Sequence, residues 1–239
     1  MTNELLQLIR SRQSARMPFD PARSVSKENL QQVLEAARWA PTAHNMQNFE
    51  VVIVDNREKL NAIAAIHHPT SLTFVQENYQ QMSFSEDELT KKKVGVLGAT
   101  FPESWRRSDV TEEDLRESGE RSFMSQQIQS SPMLGIVVFD PSRRAPASEN
   151  DFLGAVSLGC VMENMWLMAA SLGLGFHIIS SLSDDPTAKE VKLLLGIPSQ
   201  LRIAYSFRLG YPAASTEYLR VRRDIEGFTH HNRYGTKGI

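Results

Sequence analysis

One long apolar stretch, residues 152–174, constrains the fold of this 239-residue chain more than any other part of its sequence. Glu163 and several serines and glycines interrupt the stretch, which favours a helix buried in protein over a membrane span. Residues 152–171 are apolar nearly all round, so this helix is expected to be buried on every side. A helix this apolar, in a chain of this size, is typical of one that packs against its twin in a dimer. Three small residues within it would let another helix approach closely: Gly154, Ser157 and Gly159.

Helical and strand patterns alternate along the rest of the chain. Apolar periodicity and capping residues predict further helices at residues 3–12, 27–39, 56–66, 111–118 and 185–195. Apolar runs rich in valine and isoleucine predict strands at residues 49–55, 133–139, 176–180 and 201–209. The last of these strands alternates apolar and polar residues, so only one of its faces is expected to be buried. Together these patterns predict an α+β fold in which helices cover a central sheet.

The net charge and the absence of several motifs argue against some classes of function. The formal net charge of −2 argues against nucleic acid or an anionic membrane as the main partner. The six histidines lack metal-ligand spacing and Cys160 is the only cysteine, so no metal site is expected. The sequence also lacks a G-x-G-x-x-G, a P-loop and a G-x-S-x-G motif. The N-terminus has acidic and polar residues in place of the apolar run of a signal peptide, which favours a cytoplasmic location.

Two arginine-bearing segments at opposite ends of the chain suggest an anion site. The first is Arg12-Gln13-Ser14-Ala15-Arg16, and the second is Arg220-Val221-Arg222-Arg223. Two guanidinium groups and a hydroxyl at alternate positions suit a tetrahedral anion such as phosphate, because together they can saturate several of its oxygens. Arginine clusters more often form a solvated face, so both interpretations stay open at this point.

A third segment, Ala40-Pro41-Thr42-Ala43-His44-Asn45-Met46-Gln47-Asn48-Phe49, ends a helix and leads directly into a predicted strand. Arg-x-Ser-x-Arg lies upstream of it, and Leu172-Gly173-Leu174-Gly175 and the C-terminal arginines lie downstream. This order resembles the nitroreductase family of FMN-dependent oxidoreductases. The resemblance covers most of the chain and is weakest from His67 to Ser125. It implies a mixed or antiparallel central sheet flanked by helices, in an intertwined homodimer.

The resemblance also implies an FMN site at the interface between two subunits. Arg12, Ser14 and Arg16 of one subunit would hold the phosphate, and residues 41–45 would arrive from the other subunit. Backbone amides after Leu-Gly-Leu would lie beside the flavin ring, where a donor to N5 tunes its electronics. A side-chain amide would join them, with Gln126 the first candidate and Gln127 its rival. The expected cofactor-binding residues are Arg12, Ser14, Arg16, Pro41, Thr42, Ala43, Asn45, Gln126, Ile179, Ser180, Ser181, Arg220 and Arg222.

The sequence departs from the family pattern in two places. Asn48 stands where a proline commonly follows the glutamine, and this change is expected only to loosen the start of the strand. Ser180-Ser181 replaces a Glu-Gly pair seen in some bacterial members, close to the expected position of N5. A backbone N–H serves there whatever the side chain, so FMN binding is expected to survive both changes.

The implied activity is the reduction of electron-poor small molecules, such as nitroaromatics or quinones, with NAD(P)H. The nicotinamide would reduce the bound FMN and leave, and the substrate would then take hydride from N5 in the same pocket. This ping-pong pattern needs no side chain as catalytic acid or base. Alternatives within the family are reductive dehalogenation, alkene reduction and flavin degradation. Alternatives of other classes are a non-catalytic dimer that binds a phosphorylated ligand, and an interaction module with solvated arginines.

A single nitroreductase-like domain spanning residues 1–239 is expected, with two less regular parts. Residues 67–125 resemble the variable lid of the family, and residues 211–239 are expected to form an extended tail that dangles or wraps a partner subunit. Aromatic residues of the lid are candidates to stack on a flat substrate, although such residues more often fill a core. These aromatic residues are Phe101, Trp105 and Phe123.

Overall fold

A computed structural model describes residues 3–20, 22–66, 71–101, 103–107, 109–117, 120–214 and 219–237. Its helices are α1 (Glu4–Ser11), α2 (Lys27–Arg38), α3 (Arg57–Ala65), α4 (Leu72–Val75), α5 (Glu86–Lys92), α6 (Glu112–Glu117), α7 (Glu120–Gln129), α8 (Phe152–Ser171) and α9 (Thr187–Leu195). Its strands are β1 (Glu50–Val54), β2 (Ser83–Phe84), β3 (Val96–Leu97), β4 (Met133–Phe139), β5 (Gly175–Ile179) and β6 (Arg202–Gly210). Most predicted elements are present within one or two residues of their expected bounds.

The chain divides into two compact units. The first comprises Met1–His68 and Arg121–Ser215, and the second comprises Pro69–Glu120 and Thr216–Ile239. The first unit contains a four-stranded sheet in the order β1-β4-β6-β5, in which every neighbouring pair is antiparallel. This α+β architecture with an antiparallel sheet confirms the expected fold class. The expectation of a single domain stays a prediction.

Helices cover both faces of the four-stranded sheet. One apolar layer joins the sheet to α3, α7 and α9, through buried residues such as Leu60, Ile128 and Val191. The other layer joins the sheet to α2 and α8, through buried residues such as Val33 and Met165. Because each face is covered, a strand in the middle of the sheet has no face left for solvent.

Strand β6 corrects the expectation of a half-buried strand. It lies between β4 and β5, and its polar residues Ser206 and Arg208 are both 0% exposed. Alternation of apolar and polar residues is normally typical of a strand with one wet face. Here the polar positions face the buried layer formed by helices α3, α7 and α9. The alternation along β6 therefore indicates buried polar side chains, not a face exposed to solvent.

Helix α8 corrects a second expectation, since it is not buried on every side within the chain. Val161, Met165 and Ala169 are buried, whereas Phe152 is 68% exposed and Val156 is also exposed. The helical stretch Glu149–Ser171 is long and apolar enough to cross a membrane by length and composition. That is weak evidence, because helices that pack in a protein core pass the same test.

A close approach between β4 and β6 depends on Gly135. Gly135 lies opposite Phe207 in the sheet, and a Cβ at position 135 would overlap the carbons of the Phe207 ring. The Phe207 ring in turn stacks on Phe176 of β5, with centroids 4.5 Å apart, and Phe176 stacks on Trp166 of α8. One aromatic side chain therefore joins three strands of the sheet.

The second unit has a small core of its own. The Trp105 ring lies 6.0 Å from each of the Phe74 and Phe101 rings, between centroids, and is buried with Val75. Phe101 and Trp105, the expected lid aromatics, therefore contribute to a core, while the Phe123 side chain lies outside the described residues. Within this unit the tail is joined to the residue after α5 by an ion pair of 2.6 Å between Lys93 Nζ and Asp224 Oδ2.

Replacing Gly135 by alanine should destabilise the protein. Overpacking a filled core typically costs about 1–3 kcal/mol of unfolding free energy, and Phe207 is too tightly stacked to move aside. Denaturant unfolding measures the loss. The matched control is the double variant G135A/F207L, in which the ring is gone and the two substitutions should cost less than the sum of their separate effects. Strict additivity would contradict the predicted overlap.

Candidate flavin site

The Arg12–Arg16 segment, called the arm from here on, lies along the edge of the sheet. Ser14 forms a parallel bridge with Phe176 of β5, and the Ala15 N–H donates to the Phe176 carbonyl at 3.0 Å. The Arg16 N–H donates to the Ser14 carbonyl at 3.0 Å, which turns the backbone after the bridge. The arm thus holds its two arginines and its hydroxyl next to β5, as the predicted anion site requires.

The two arginines of the arm have different surroundings. The Arg12 guanidinium lies 4.4 Å from the centroid of the Trp166 ring, and its Nε is 3.6 Å from Glu163 Oε1. Arg16 is exposed and forms no ion pair within the described ranges. Arg12 therefore already interacts with two residues of α8. Arg16 can bind an anion without first losing an ion pair to the described residues.

The segment after α2 is a loop whose backbone is strained. His44, Asn45 and Gln47 all have positive φ, between 47° and 52°, which is uncommon for residues other than glycine. Two side chains stabilise the loop: the Ala43 N–H donates to Ser157 Oγ at 2.9 Å, and the Gln47 N–H donates to the Thr42 hydroxyl at 3.1 Å. Such strain persists only where the surroundings enforce it, and it is often found at functional sites.

Asn48 does more than loosen the start of β1. Its side-chain Nδ2 donates to the backbone carbonyls of Asp140 and Arg143, both at 2.9 Å, and its Oδ1 accepts from the Asp140 N–H at 3.1 Å. A proline at this position would make none of these bonds. The departure from the family pattern therefore replaces a rigid ring with an amide that joins two loops.

The segment after β5 carries the residues expected beside the flavin ring. Ile179 is buried, and its carbonyl accepts from Ser206 Oγ at 2.7 Å. Ser180 is exposed, and the Ser181 Oγ is buried with no hydrogen-bond partner in the described part of the chain. Gln126 is exposed, whereas Gln127 is buried and its Oε1 has no partner among the same residues. Unpaired buried polar atoms need a partner, and a bound ligand is one way to supply it.

Arg220 and Arg222 belong to the second unit. Both are exposed, and Arg222 Nη1 donates to the Val221 carbonyl at 2.7 Å. Their place in the anion site stays a prediction.

The sequence patterns did not predict Arg208 and His177 as candidate site residues. They lie opposite each other on β6 and β5, and a charged residue within an alternating strand was the only signal that pointed to either. Burial lowers the pKa of Arg208 to about 10, so its guanidinium is still charged at neutral pH. Burial, with the charges of Arg208 and Arg16, lowers the pKa of His177 to about 3 and keeps its imidazole neutral.

Within one chain, the arm and the strained loop contact different parts of helix α8. The loop is bonded to Ser157, whereas the arm contacts Glu163 and Trp166, up to nine positions later on the same helix. At 1.5 Å per residue, nine positions correspond to about 13 Å along the axis. One chain therefore presents the arm and the loop at different heights along α8.

Comparison with known proteins identifies the chain's relatives. The family model described as "Nitroreductase family" matches residues 9–211. The chain belongs to the nitroreductase family. Among its relatives, the NADPH-flavin oxidoreductase of Vibrio harveyi is 32% identical over 95 residues, which are 40% of this chain and 38% of that protein. The CR(VI) reductase of Pseudomonas sp. strain G-1 is 22% identical over 97% of this chain and 75% of its own length.

Solved nitroreductase structures share the fold. A nitroreductase with bound FMN from Desulfitobacterium hafniense aligns with a TM-score of 0.62 at 21% identity, over 97% of this chain and all of that one. A nitroreductase with bound FMN from Bacteroides fragilis aligns with a TM-score of 0.59 at 21% identity, over 95% of this chain and 98% of the other.

The Asn48→Ala variant of this nitroreductase should lose stability, because two carbonyls and one N–H lose their partner at once. We expect a fall of roughly 1–3 kcal/mol in unfolding free energy, measured by denaturant titration. The control is Gln47→Ala, which removes a single exposed amide contact from the same loop and should cost less than about 0.5 kcal/mol. Equal losses in the two variants would show that Asn48 does not hold the loops together.

Proposed function

We propose that this protein is an FMN-dependent oxidoreductase that uses NAD(P)H to reduce electron-poor small molecules. The observation that carries the proposal is the arm, which bears two arginines and a hydroxyl and whose backbone is hydrogen-bonded to β5, in a chain of the nitroreductase family. The NADPH-flavin oxidoreductase activity named for the Vibrio harveyi relative, and the FMN in the two solved structures, point the same way. The reductase activity named for the Pseudomonas relative agrees with a reductive reaction.

The described residues fit a flavin phosphate. Arg16 offers a guanidinium with no ion pair in the described part of the chain, Ser14 offers a hydroxyl on the neighbouring turn, and Arg12 lies at the end of α1. Charge-assisted hydrogen bonds of this kind are the strong ones. Arg220 and Arg222 remain candidates to complete the phosphate site.

The residues after β5 fit the edge of a flavin ring. The buried Ser181 Oγ and the buried Gln127 Oε1 both lack partners, and a ring with several polar atoms offers them. The backbone groups of Ile179, Ser180 and Ser181 are the proposed neighbours of N5. Of the two amides, the buried and unpaired Gln127 is supported as well as the exposed Gln126, so both stay in the proposal.

We propose that the strained loop, with Pro41, Thr42, Ala43 and Asn45, completes the site of a second subunit. The separation of loop and arm along α8 supports this arrangement, and so does the apolar surface beside Ser157. Phe152, Leu153 and Val156 are exposed there, and α1 exposes Leu5 and Ile9. Apolar surface of this kind typically marks a protein interface, which here would be the interface of a homodimer.

The bound flavin would supply the redox chemistry, accepting hydride from NAD(P)H and passing it on to the substrate in a ping-pong cycle. The chain's own residues would bind and orient: the arm holds the phosphate, the post-β5 amides fix the ring, and the loop of the second subunit covers the site. The proton that accompanies the hydride is supplied by water, so no side chain is assigned as catalytic acid or base. We place the enzyme in the cytoplasm, as the sequence favours.

Nitroaromatics and quinones are the proposed substrates, and four other outcomes are distinguished by assay. Reductive dehalogenation, alkene reduction or flavin degradation would each use the same flavin site with a different acceptor. A non-catalytic dimer for a phosphorylated ligand would bind through the arm without oxidising NAD(P)H.

The visible absorbance of the purified protein tests the proposal directly. Spectra are recorded before and after incubation with FMN and desalting, and again after anaerobic addition of NADH or NADPH. We expect a yellow protein whose flavin band bleaches with the nicotinamide and recovers on addition of a nitroaromatic or a quinone. A protein that retains no FMN would overturn the proposal, and one that holds FMN without bleaching would favour the binding dimer.

Replacing Arg12 or Arg16 by alanine should weaken FMN binding by roughly 1–3 kcal/mol each, the range for a lost charge-assisted hydrogen bond. Fluorescence titration of flavin-free protein measures the change. Arg10→Ala removes an arginine of the same helix that is outside the proposed site, and its FMN affinity should stay near that of the wild type. Full affinity in both arm variants would show that the phosphate lies elsewhere.

A further inference from the structure

Arg208 is a cation buried in the first unit at the end of the sheet. It is 0% exposed, its Nε donates to Ser131 Oγ at 2.6 Å, and its Nη1 lies 3.5 Å from His177 Nδ1. Its guanidinium is 4.6 Å from the centroid of the Phe19 ring. Its Nη2 is buried, and none of the residues that the structure describes forms a hydrogen bond with it. The three groups that contact the guanidinium are therefore all neutral: a hydroxyl, an uncharged imidazole and an aromatic ring.

Arg208 forms no ion pair with any Asp or Glu in the described ranges, and burial is the only cause that shifts its pKa. A buried charge without a counter-ion is costly, and removing the charge can leave a protein equally or more stable. A functional role for the positive charge would offset this cost.

The arm borders β5, the strand that carries the histidine next to Arg208. Phe19 follows the arm, and Ser14 bridges Phe176, the residue directly before His177. His177 Nδ1 lies 3.5 Å from Arg208 Nη1, and the charges of Arg208 and Arg16 both help to lower the pKa of His177. Arg208 thus lies on β6 next to His177 of β5, the strand that the arm borders.

We propose that Arg208 is a third, buried cation of the anion site, which strengthens phosphate binding at the arm by its field without touching the ligand. The inference rests on the proposed function in taking FMN as the phosphate-bearing ligand. In the protein interior a charge is screened less than in water, and no carboxylate among the described residues forms an ion pair with Arg208. Two unit charges about 10 Å apart at an effective dielectric constant of about 20 interact enough to change a dissociation constant roughly tenfold.

The competing explanation is that Arg208 acts only as a structural tie between Ser131, His177 and Phe19. Under that explanation, a variant that keeps the Arg208 side chain and its bonds but cancels its charge should bind FMN like the wild type. Under the field explanation, the same variant should bind FMN more weakly. FMN and riboflavin share the ring and differ in the phosphate group, so comparing them shows whether a change in affinity arises at the phosphate.

The test uses full-length, flavin-free protein and three variants. Arg208→Met removes the charge at similar length. Ser131→Asp keeps the arginine and gives it a carboxylate partner in place of the hydroxyl, which covers the case in which Arg208→Met does not fold. Arg202→Met is the matched control, because Arg202 is an exposed arginine on the same strand. FMN and riboflavin affinities are measured by fluorescence titration, and the stabilisation of each protein by inorganic phosphate is measured as a shift in Tm.

The field explanation predicts that FMN binds roughly tenfold more weakly to Arg208→Met and to Ser131→Asp, with riboflavin affinity unchanged and Arg202→Met like the wild type. The phosphate-dependent Tm shift should shrink in the same two variants. Equal weakening of FMN and riboflavin would overturn the proposal in favour of the structural tie. Unchanged FMN affinity in either folded variant would overturn it as well.

The same measurements separate this inference from the proposed function. Wild-type protein that binds no FMN, but is stabilised by phosphate in a way that depends on Arg208, would overturn the FMN assignment and support the buried cation. Wild-type protein that responds to neither ligand would overturn both.

Discussion

The first unit depends on the stack of aromatic rings that runs from α8 through β5 to β6. Phe207 lies over Gly135 of β4 and on Phe176 of β5, and Phe176 continues the stack to Trp166. Trp166 in turn donates to the Gln13 carbonyl of the arm and carries the Arg12 guanidinium on its face. A packing interaction in the core therefore determines where the arm lies, and the geometry of the proposed anion site depends on the sheet.

Local signals in the sequence predicted much of the fold. Ser26 caps α2, Thr111 and Asp114 form reciprocal hydrogen bonds at the start of α6, and Gly196 ends α9 with a φ of 68°, all as expected. These features depend on a few neighbouring residues, so they can be inferred from short stretches of sequence. The burial of β6 on both faces could not be inferred in this way, because it depends on which strands become its neighbours.

The same distinction between local signals and tertiary contacts applies to the residues of the candidate site. The spacing of Arg12, Ser14 and Arg16 along the chain suggested an anion site, because the three residues lie close together in sequence, but only the order of the other motifs favoured it over a solvated face. His177 and Arg208 are 31 residues apart and meet only because β5 pairs with β6. Asn48 likewise bonds to a turn 92 residues away, so its role depends on tertiary contacts that a local pattern does not contain.

The spacing of the arm and the loop along α8 has a thermodynamic consequence. If each site is built from the arm of one copy and the loop of another, the cofactor binds the pair and not the single chain. Mass action then couples the two equilibria: dilution of the protein favours loss of flavin, and added flavin favours pairing. The apparent affinity for the cofactor would be a property of protein concentration as well as of the residues that touch it.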